Sequence, residues 1–589
     1  MTKAQTLAKI LFEFSYFHEM HGVAFKPRAY QLASESVTAR GDEVEDAWRK
    51  GGIKALKELP GIGQNIAEKA DELFRTGKIK EYEQMKKQFP VDIWGLSRIE
   101  GLGPKHMLDL YKHLKVKNIN DLKKALKAHK IKDIPRWGEK SEIKLLNQLN
   151  LMEASGGRLL LGYVLPVADE MVRQLSKVKG VTRCTYAGSI RRRQETIGDI
   201  DLIATSKNAK SVMDAFVSLP MVESVHEKGK TRSSVRLKIG IDADLRVVPD
   251  EVFGATLQYF TGDKRHNVLL REFALSKGYT LNEYGLYKLA KKKATPTTPS
   301  PSSGRRGIGL VACKTEEEIY EKLGMETPAP EIRIGEDEIE AALKHKLPNL
   351  LPYGSVRGDL QMHSTWSDGT LSIEEMAQAA IKLGRSYIAM TDHSKSMAFI
   401  NGLDEKRLKQ QGKEIDKLNK NFKGFRILKG IECDIHKDGS LDISAAARKE
   451  LDFVGISVHS HFHLSREEQT KRIIKAMEQP NVNCFFHPTC RLIGKREGID
   501  FDMRAVIAAA KKNNVALEIN SFPERSDLSD RWVRAVVKAG AKLMINTDAH
   551  TAEHLEFIVL GEAIARRGWA TKKDVLNTKT TKEFMAWLA

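Results

Sequence analysis

The sequence predicts a multidomain chain: an all-α N-terminal region, an α+β domain, a small α/β domain, and a C-terminal domain of parallel strands alternating with helices. Three observations support this. At 589 residues the chain is too long for one hydrophobic core. Amphipathic stretches separated by short glycine or proline breaks fill residues 1 to about 155. From residue 355 onward, strand-like runs such as "SYIAMTDH" and "KLMINTDAH" alternate with amphipathic helices.

The composition narrows the class of partner. The formal net charge of +19 favours a polyanion such as nucleic acid, or an anionic membrane surface. No stretch is apolar for long enough to span a bilayer, and the first 17 residues are typical of a helix rather than a signal peptide. The five cysteines are scattered without a C-x-x-C pair, as in a reducing compartment. We therefore expect a cytoplasmic protein that binds nucleic acid and no membrane.

Two glycine motifs interrupt the helical region. "LPGIGQNIAEKADEL" (59–73) and "IEGLGPKHMLDLYKHL" (99–114) share a hydrophobic-x-G-hydrophobic-G pattern before a helix. Such a turn points backbone N–H groups outward at a helix N-terminus, where they can bind a DNA phosphate without reading bases. The alternative is an ordinary packing corner between helices. The four glycines concerned are Gly61, Gly63, Gly101 and Gly103.

The middle of the chain carries a carboxylate cluster. Strand-like runs and helices alternate over about 158–250, which predicts the α+β domain. In "YAGSIRRRQETIGDIDLIATS" (186–206), Asp199 and Asp201 fall on one face of a strand, where they repel each other unless cations lie between them. Two divalent metals are the usual solution in phosphoryl transfer. A third carboxylate is available in "IDADLRVV" (241–248), from Asp242 or Asp244. A solvated, charged edge strand is the alternative.

Donors for a triphosphate precede these carboxylates: the Gly188–Ser189 backbone and the run Arg191, Arg192 and Arg193. Further along, residues 253–332 look mixed and contain the Pro/Ser/Thr-rich "KKKATPTTPSPSSGRRG" (291–307), predicted to be a mobile loop.

The stretch "GSIRRRQETIGDIDLI" closely resembles the nucleotidyltransferase signature of family X DNA polymerases. The two glycine motifs resemble that family's helix-hairpin-helix motifs, and "LQYFTGDKRHNVLLREFALSKGYTLNEYGLY" (257–287) resembles its nucleotide-binding thumb. The resemblance implies a helix-hairpin-helix 5′-phosphate and lyase-like domain (1–85), a second helix-hairpin-helix or fingers region (86–155), a palm (156–252), a thumb (253–332) and a linker (333–354).

Site residues follow from the same resemblance. Asp199, Asp201 and Asp244 would bind two Mg²⁺ or Mn²⁺ ions, with Asp244 helping to activate the primer 3′-hydroxyl. Asp242 would be a solvated neighbour. The nucleotide contacts would be Gly188, Ser189, Arg192, Gly198, Tyr259, Phe260, Thr261, Gly262, Lys264 and Asn267. The DNA contacts would be the four motif glycines, Lys26, Tyr30, Lys57, Arg246 and Arg271.

A lyase pocket is also implied. Lys69 stands where the family has a Schiff-base nucleophile that removes a 5′-deoxyribose phosphate, and Lys26, Tyr30 and Lys57 stand at its 5′-phosphate pocket. The family's further lysine is Asn65 here, which weakens that pocket. The alternative is a set of surface lysines that follow the DNA backbone.

The C-terminal third is rich in histidine. "AMTDH", "ISVH", "CFFH" and "INTDAH" each place a histidine after a strand-like run, and Glu432 and Asp548 accompany them. Because parallel strands end on one face of a β/α domain, these side chains should converge into a metal cluster. The region resembles the PHP domain, which implies a distorted seven-stranded (β/α)7 barrel over 355–589. The ligands would be His363, Asp368, His393, Glu432, His459, His487, Asp548 and His550.

The PHP resemblance implies two to three Mn²⁺, Zn²⁺ or Fe²⁺ ions that activate water against a phosphoester. His461, His463 and His554 would be outer residues, and Arg491 a phosphate contact. Gln361 replaces the first histidine of the family's His-x-His motif, so one metal should bind more weakly.

We therefore expect a monomeric, distributive DNA polymerase that uses deoxynucleoside triphosphates on gapped or nicked DNA in base excision repair. The PHP domain would add 3′–5′ exonuclease, 3′-end-processing or abasic-site endonuclease activity. Two alternatives are a polymerase with a non-catalytic PHP domain and a template-independent nucleotidyltransferase.

Overall fold

A computed structural model describes residues 3–23, 25–40, 43–59, 61–97, 99, 102–135, 137–139, 141–143, 145–146, 157–289 and 309–588. The chain divides into two compact units. The first comprises Met1–Gly157 with Leu492–Glu497, and the second Arg158–Arg491 with Gly498–Ala589. Gly101 and the loop at 291–307 lie outside the described residues.

Every described element of the first unit is a helix, as predicted. Gly63 and Gly103 are extended and immediately precede α4 and α7, so both glycine motifs open a helix. Two apolar cores form: Leu7, Leu11 and Phe14 of α1 belong to the first, and residues around α7 and α8 form the second. The helices are α1 (Lys3–Met20), α2 (Lys26–Arg40), α3 (Glu43–Lys57), α4 (Gln64–Thr76), α5 (Lys80–Gln88), α6 (Ile93–Leu96), α7 (Pro104–Leu114) and α8 (Ile119–Lys127).

The palm begins the second unit as a five-stranded sheet of order β2-β4-β7-β6-β5. Strands β4 and β7 are parallel neighbours, and the other pairs are antiparallel. In β7 the alternation buries Ala243, Leu245 and Val247 and leaves Asp242 and Asp244 on the opposite face. The elements are β1 (Leu159–Leu160), α9 (Leu161–Ser176), β2 (Val181–Tyr186), α10 (Gly188–Arg191), β3 (Thr196–Ile197), β4 (Asp199–Ser206), α11 (Ala209–Val217), β5 (Val222–Lys228), β6 (Arg232–Leu237) and β7 (Asp242–Val248).

The thumb follows as helices packed on a three-stranded antiparallel sheet of order β10-β9-β8. His266 is buried in it, between Glu338 Oε1 at 2.7 Å and the Tyr320 hydroxyl at 2.8 Å. The elements of the thumb and linker are α12 (Phe253–Thr261), α13 (Lys264–Ser276), β8 (Tyr279–Asn282), β9 (Gly285–Lys288), β10 (Leu310–Ala312), α14 (Glu316–Lys322) and α15 (Glu338–Leu343).

The C-terminal barrel confirms the predicted fold. Its seven described strands are all parallel and lie in sequence order. A parallel bridge from Met362 to Ala549 joins the first and last segments, so the sheet nearly closes. The strands are buried on both faces and therefore read as apolar runs. They are β11 (Gly358–Asp359), β12 (Tyr387–Met390), β13 (Arg426–Asp434), β14 (Phe453–Ser457), β15 (Cys484–Phe485), β16 (Ala516–Asn520) and β17 (Leu543–Asn546).

The barrel helices surround these strands, and one of them also contacts the palm. Leu560 of α22 belongs to the palm's apolar core, against which Phe557 and Val559 also pack. Among the described helices none has the length and apolarity of a membrane span. The barrel helices are α16 (Ile373–Lys382), α17 (Glu405–Asn419), α18 (Ala445–Lys449), α19 (Arg466–Met477), α20 (Met503–Lys512), α21 (Asp530–Ala539), α22 (Ile558–Arg567) and α23 (Thr581–Leu588).

Candidate active sites

Three aspartates meet on the open face of the palm sheet. The register of β4 and β7 places Asp201 beside Asp244 and Asp199 beside Asp242. Burial, together with the negative charges of Asp199 and Asp244, raises the pKa of Asp201 to about 7. Asp244 Oδ1 is buried and has no hydrogen-bond partner among the described residues. A buried carboxylate oxygen without a donor, beside a second carboxylate of raised pKa, fits a divalent cation.

The structure distinguishes Asp244 from Asp242, between which the residue pattern alone could not choose. Asp242 Oδ1 already accepts from Arg236 Nη1 at 2.9 Å and lies 3.2 Å from His226 Nε2. These partners lower the pKa of Asp242. Asp242 is therefore a surface ion pair, and Asp244 is the third carboxylate of the cluster.

A tight turn brings phosphate donors against these carboxylates. Gly188 has φ +56°, and a Cβ placed there would lie 2.2 Å from Asp201 Oδ2, so any other residue would displace the Asp201 carboxylate or the turn. The Ala187 N–H donates to the Asp201 carbonyl at 2.8 Å, which fixes the turn on β4. Ser189 Oγ and Arg192 Nε are buried, and within the described part of the chain neither has a hydrogen-bond partner. These donors fit an anionic ligand such as a phosphate.

Arg191 ties the palm to the thumb. It donates to Glu316 Oε2 and to Thr261 Oγ1, both at 2.5 Å. Glu316 is buried and also accepts from Arg333 at 2.5 Å. Burial alone would raise the pKa of Glu316, but the two guanidinium groups outweigh it and lower that pKa to about 2. Arg191, the first of the three consecutive arginines, thus belongs to a buried ionic cluster.

The thumb residues predicted to contact the nucleotide lie beside this turn. Tyr259 and Phe260 are half-buried with their ring centroids 5.2 Å apart, and the Arg246 guanidinium lies 4.5 Å from the Phe260 centroid. Asn267 Nδ2 donates to the Tyr259 carbonyl at 2.7 Å, and Arg271 Nε donates to the Asn267 carbonyl at 3.2 Å. The side-chain amide of Asn267 therefore fixes the C-terminal end of α12. Thr261 and Gly262 are buried, Gly198 is half-buried, and Lys264 is exposed.

The eight predicted barrel ligands gather at the carboxyl ends of the strands. Ligand atoms lie within 4.8 Å of one another in three overlapping groups. His487 Nε2 is 2.8 Å from Glu432 Oε1, which joins it to the second group. The first group is His363, Asp368, His393 and His550; the second is His393, Glu432 and His459; the third is His363, Glu432 and Asp548.

The donor set in the barrel fits divalent cations. Buried ring nitrogens and one carboxylate oxygen have no hydrogen-bond partner within the described residues, which is costly unless a metal binds them. Mixed imidazole and carboxylate ligands suit zinc, manganese or iron. The unpartnered atoms are His363 Nδ1, His393 Nδ1, Glu432 Oε2, His459 Nε2 and His487 Nδ1.

Electrostatics in the barrel cluster favour positive charge near its carboxylates. Burial alone would lower the pKa of His363, but Asp548 and Asp368 outweigh it and raise that pKa to about 10. His393 stacks on His363 with centroids 4.4 Å apart, yet burial lowers its pKa to about 3. The carboxylates thus stabilise a cation beside His363.

Comparison with known proteins shows which family the chain belongs to. Family models match residues 2–79 (helix-hairpin-helix domain), 95–150 (SAM-like helix-hairpin-helix tandem), 256–334 (DNA polymerase beta thumb) and 359–547 (PHP domain). The DNA polymerase/3′-5′ exonuclease PolX of Bacillus subtilis (strain 168) is 38% identical over 535 residues, which cover 90% of this chain and 91% of that protein. The chain belongs to the PolX family of family X DNA polymerases with a C-terminal PHP domain.

Two further relatives match parts of the chain. DNA polymerase lambda of Arabidopsis thaliana is 26% identical over 309 residues, covering 46% of this chain and 52% of that protein. A probable phosphatase of Thermoanaerobacter sp. (strain X514) is 30% identical over 235 residues, covering 38% of this chain and 91% of the phosphatase.

In this PolX-family chain, Gln361 is held in the barrel wall by hydrogen bonds. It is fully buried, and in the amide orientation that satisfies its neighbours it donates to Glu518 Oε1 at 2.6 Å and Oε2 at 2.8 Å. Burial raises the pKa of Glu518 well above its ordinary value. Glu518 also accepts from the His487 N–H at 2.7 Å and from Asn546 Nδ2 at 2.7 Å. Hydrogen bonds thus fix the residue that stands in place of a histidine.

Sequence reasoning missed Arg525. Its Nε lies 3.0 Å from Asp548 Oδ2, beside a predicted metal ligand. Arg525 follows β16, so the strand-end argument used for the histidines could have found it. Arg491, predicted to contact phosphate, instead donates to Glu195 Oε1 of the palm at 2.7 Å.

The predicted lyase residues lie in the first unit. Lys69 is buried, its Nζ lies 2.5 Å from Glu81 Oε2, and it lies 5.5 Å from the Phe14 ring centroid. The buried Tyr30 hydroxyl donates to Asn65 Oδ1 at 2.9 Å. Of the other predicted pocket residues, Lys26 and Lys57 are exposed; among the hairpin glycines, Gly61 and Gly63 are exposed and Gly103 is half-buried. A Schiff-base amine needs a free lone pair, so the pair with Glu81 must separate before Lys69 could react.

Proposed function

We propose that this protein is a DNA repair polymerase that fills short gaps with deoxynucleoside triphosphates and degrades or trims 3′-ends in its PHP barrel. The observation that carries the polymerase is Asp244: a buried, unpartnered carboxylate oxygen, among the described residues, beside Asp201 on an adjacent parallel strand. Membership of the PolX family over 90% of the chain supports both activities.

In the palm, Asp199, Asp201 and Asp244 would hold two divalent cations, Mg²⁺ or Mn²⁺. When bound, these ions supply charge neutralisation and lower the pKa of the primer 3′-hydroxyl. Ser189 Oγ and Arg192 bind the β- and γ-phosphates, since their buried donor atoms lack partners in the described chain. Gly188 lets these donors approach Asp201 closely, because a Cβ there would lie 2.2 Å from Asp201 Oδ2.

The thumb would complete the nucleotide pocket. Tyr259 and Phe260 line the sugar, with Thr261 and Gly262 at the helix end. Lys264 and Asn267 approach the base, and Arg271 approaches the template minor groove. Stacking of Arg246 on Phe260 holds that ring at the palm–thumb junction, which supports a rigid sugar-binding wall.

In the barrel, the eight predicted ligands would hold two or three Mn²⁺, Zn²⁺ or Fe²⁺ ions. Bound there, the ions supply an activated water and a Lewis acid for phosphodiester hydrolysis. Arg525 orients Asp548 through its 3.0 Å contact and adds positive charge beside the substrate phosphate. Hydrogen bonds to Glu518 keep Gln361 in the barrel wall, which supports weaker binding at one position.

The hairpin glycines Gly61, Gly63, Gly101 and Gly103 would bind the backbone of gapped or nicked DNA, supported by the net charge of +19. We propose that the protein acts as a monomer on nucleoid DNA in the cytoplasm. We also propose the domain boundaries stated above: 1–85, 86–155, 156–252, 253–332, 333–354 and 355–589.

A second candidate activity is removal of a 5′-deoxyribose phosphate by Lys69. The burial of Lys69 in the first helical unit, beside the Phe14 ring, supports it. The ion pair with Glu81 prevents Lys69 from acting as a nucleophile until the pair separates.

A matched pair of substitutions in β7 tests the polymerase. Asp244→Asn removes the carboxylate whose Oδ1 has no hydrogen-bond partner among the described residues, and Asp242→Asn removes a surface ion pair two residues away. We expect Asp244→Asn to abolish single-nucleotide gap filling and Asp242→Asn to retain it. Gap filling that survives Asp244→Asn would reject the palm assignment. In the barrel, His487→Ala should abolish 3′-end degradation and leave gap filling intact; unchanged degradation would favour a non-catalytic PHP domain.

A further inference from the structure

The segment from Arg192 to Gly198, here called the catalytic turn, connects the proposed phosphate donors to the proposed metal ligands. It runs from the end of α10 to the start of β4. Its backbone is fixed within the palm where the Leu161 N–H donates to the Glu195 carbonyl at 2.9 Å. A displacement of the catalytic turn would change the distance between Ser189 and Asp201.

Two arginines of the barrel hold the outer side of the catalytic turn. Arg491 Nη2 donates to Glu195 Oε1 at 2.7 Å, and Arg567 Nη2 lies 3.3 Å from the same oxygen. Arg567 Nη1 also donates to the Arg193 carbonyl. The Arg567 side chain is only 2% exposed, and Asp530 holds its Nε at 2.8 Å. These charge-assisted bonds are largely shielded from water and therefore favour one geometry.

Arg491 also contacts the loop that carries Arg525. Its Nε donates to the Arg525 carbonyl at 3.1 Å, and its Nη2 donates to the Ser526 carbonyl. Arg525 in turn contacts Asp548. A line of contacts, which passes through the Arg525 backbone carbonyl, therefore leads from Glu195 in the palm to a predicted metal ligand of the barrel.

Loss of these arginines would do more than loosen the turn. A released Glu195 carboxylate would be three residues from Arg192, whose buried Nε has no partner in the described chain. An internal pair between them would remove a proposed phosphate donor. The two barrel arginines instead hold the Glu195 carboxylate on the barrel side of the catalytic turn.

We infer that Arg491 and Arg567 are positioning residues for nucleotidyl transfer, acting through Glu195 on the catalytic turn. The barrel thus supports polymerisation by a route separate from its own hydrolysis. This inference rests on the proposed polymerase function.

A double-mutant cycle on the full chain tests it. Arg491→Ala, Glu195→Ala and the double variant are compared by kcat and KM for the nucleotide in single-nucleotide gap filling. We expect Arg491→Ala to lower kcat roughly tenfold, since displacement of a reacting group by about an ångström can cost even more. Because both residues act through one contact, the double variant should be no slower than the slower single variant. Arg491→Lys, which keeps one cationic donor, should restore part of the loss.

Arg534→Ala is the control. Arg534 is also a barrel arginine, but it pairs with Asp337 of the linker at 2.9 Å and stacks on Trp569. Its loss should leave kcat unchanged. The inference would be overturned if Arg491→Ala had the wild-type kcat. It would also be overturned if the fold-loss of kcat in the double variant equalled the product of the fold-losses in the two single variants. If Arg491→Ala does not fold, the lysine variant is decisive: full additivity with Glu195→Ala overturns the proposal. A wild-type protein that fills no gaps would reject the proposed function itself.

Discussion

Gly188 offers a direct test of the geometry of the polymerase site. In Gly188→Ala, the new Cβ would lie 2.2 Å from Asp201 Oδ2, whereas real Cβ contacts essentially never fall below 3.0 Å. The Asp201 carboxylate or the turn at Gly188 must therefore move by about 0.8 Å. Because misplacing catalytic groups by about 1 Å can cost about 100-fold in rate, we expect kcat for gap filling to fall by roughly that factor. The positive φ of the new alanine should cost about 1–2 kcal/mol of stability.

Gly240→Ala separates the backbone effect from the clash. Gly240 lies in the same domain with φ +87°, and no described atom lies within 4 Å of the point that an alanine Cβ would occupy there. We expect a similar loss in the free energy of unfolding, measured with denaturant, while kcat remains near the wild-type value. Equal loss of activity in both variants, or normal activity in Gly188→Ala, would refute the role given to this contact.

Three other outcomes follow from contacts at the sites. Glu316→Gln should lower the free energy of unfolding by about 3–5 kcal/mol, because two buried guanidinium groups lose their partner, whereas exposed Glu317→Gln should change it by less than about 0.5 kcal/mol. Since the folded-state pKa of Glu316 is lowered to about 2 from 4.5, this stabilisation is complete above pH 4.5 and disappears as the pH falls through 2. Gln361→His should raise the metal affinity or stoichiometry measured by calorimetry; unchanged binding would contradict a weakened site. Glu81→Gln should increase borohydride-trapped DNA adducts if Lys69 is a lyase nucleophile, and an absence of adducts in both proteins would exclude that role.

Local patterns predicted the elements and much of the palm. Alternation along a strand places Asp199 and Asp201 on one face, and the structure has them there. The same alternation could not choose between Asp242 and Asp244, because both occupy one face of β7. Their difference depends on Arg236 of β6 and His226 of β5, which both contact Asp242.

Long-range contacts lay beyond any local pattern. Glu195 and Arg491 are 296 residues apart, so neither periodicity nor motif spacing could pair them. Arg525 follows β16, so the strand-end argument indicated its region, but only the folded barrel shows that its Nε lies 3.0 Å from Asp548 Oδ2. Loss of the first motif histidine was visible in the sequence, but the bonds from Gln361 to Glu518 needed the folded barrel.

The order of strands in the barrel has a consequence for how the protein matures. His363 and Asp548 belong to one metal group, yet 185 residues separate them along the chain. A ribosome must finish nearly the whole barrel before both ligands exist. Loading of this candidate metal group would therefore follow synthesis of almost the entire chain, and the supply of ions at that moment would determine which metal it acquires.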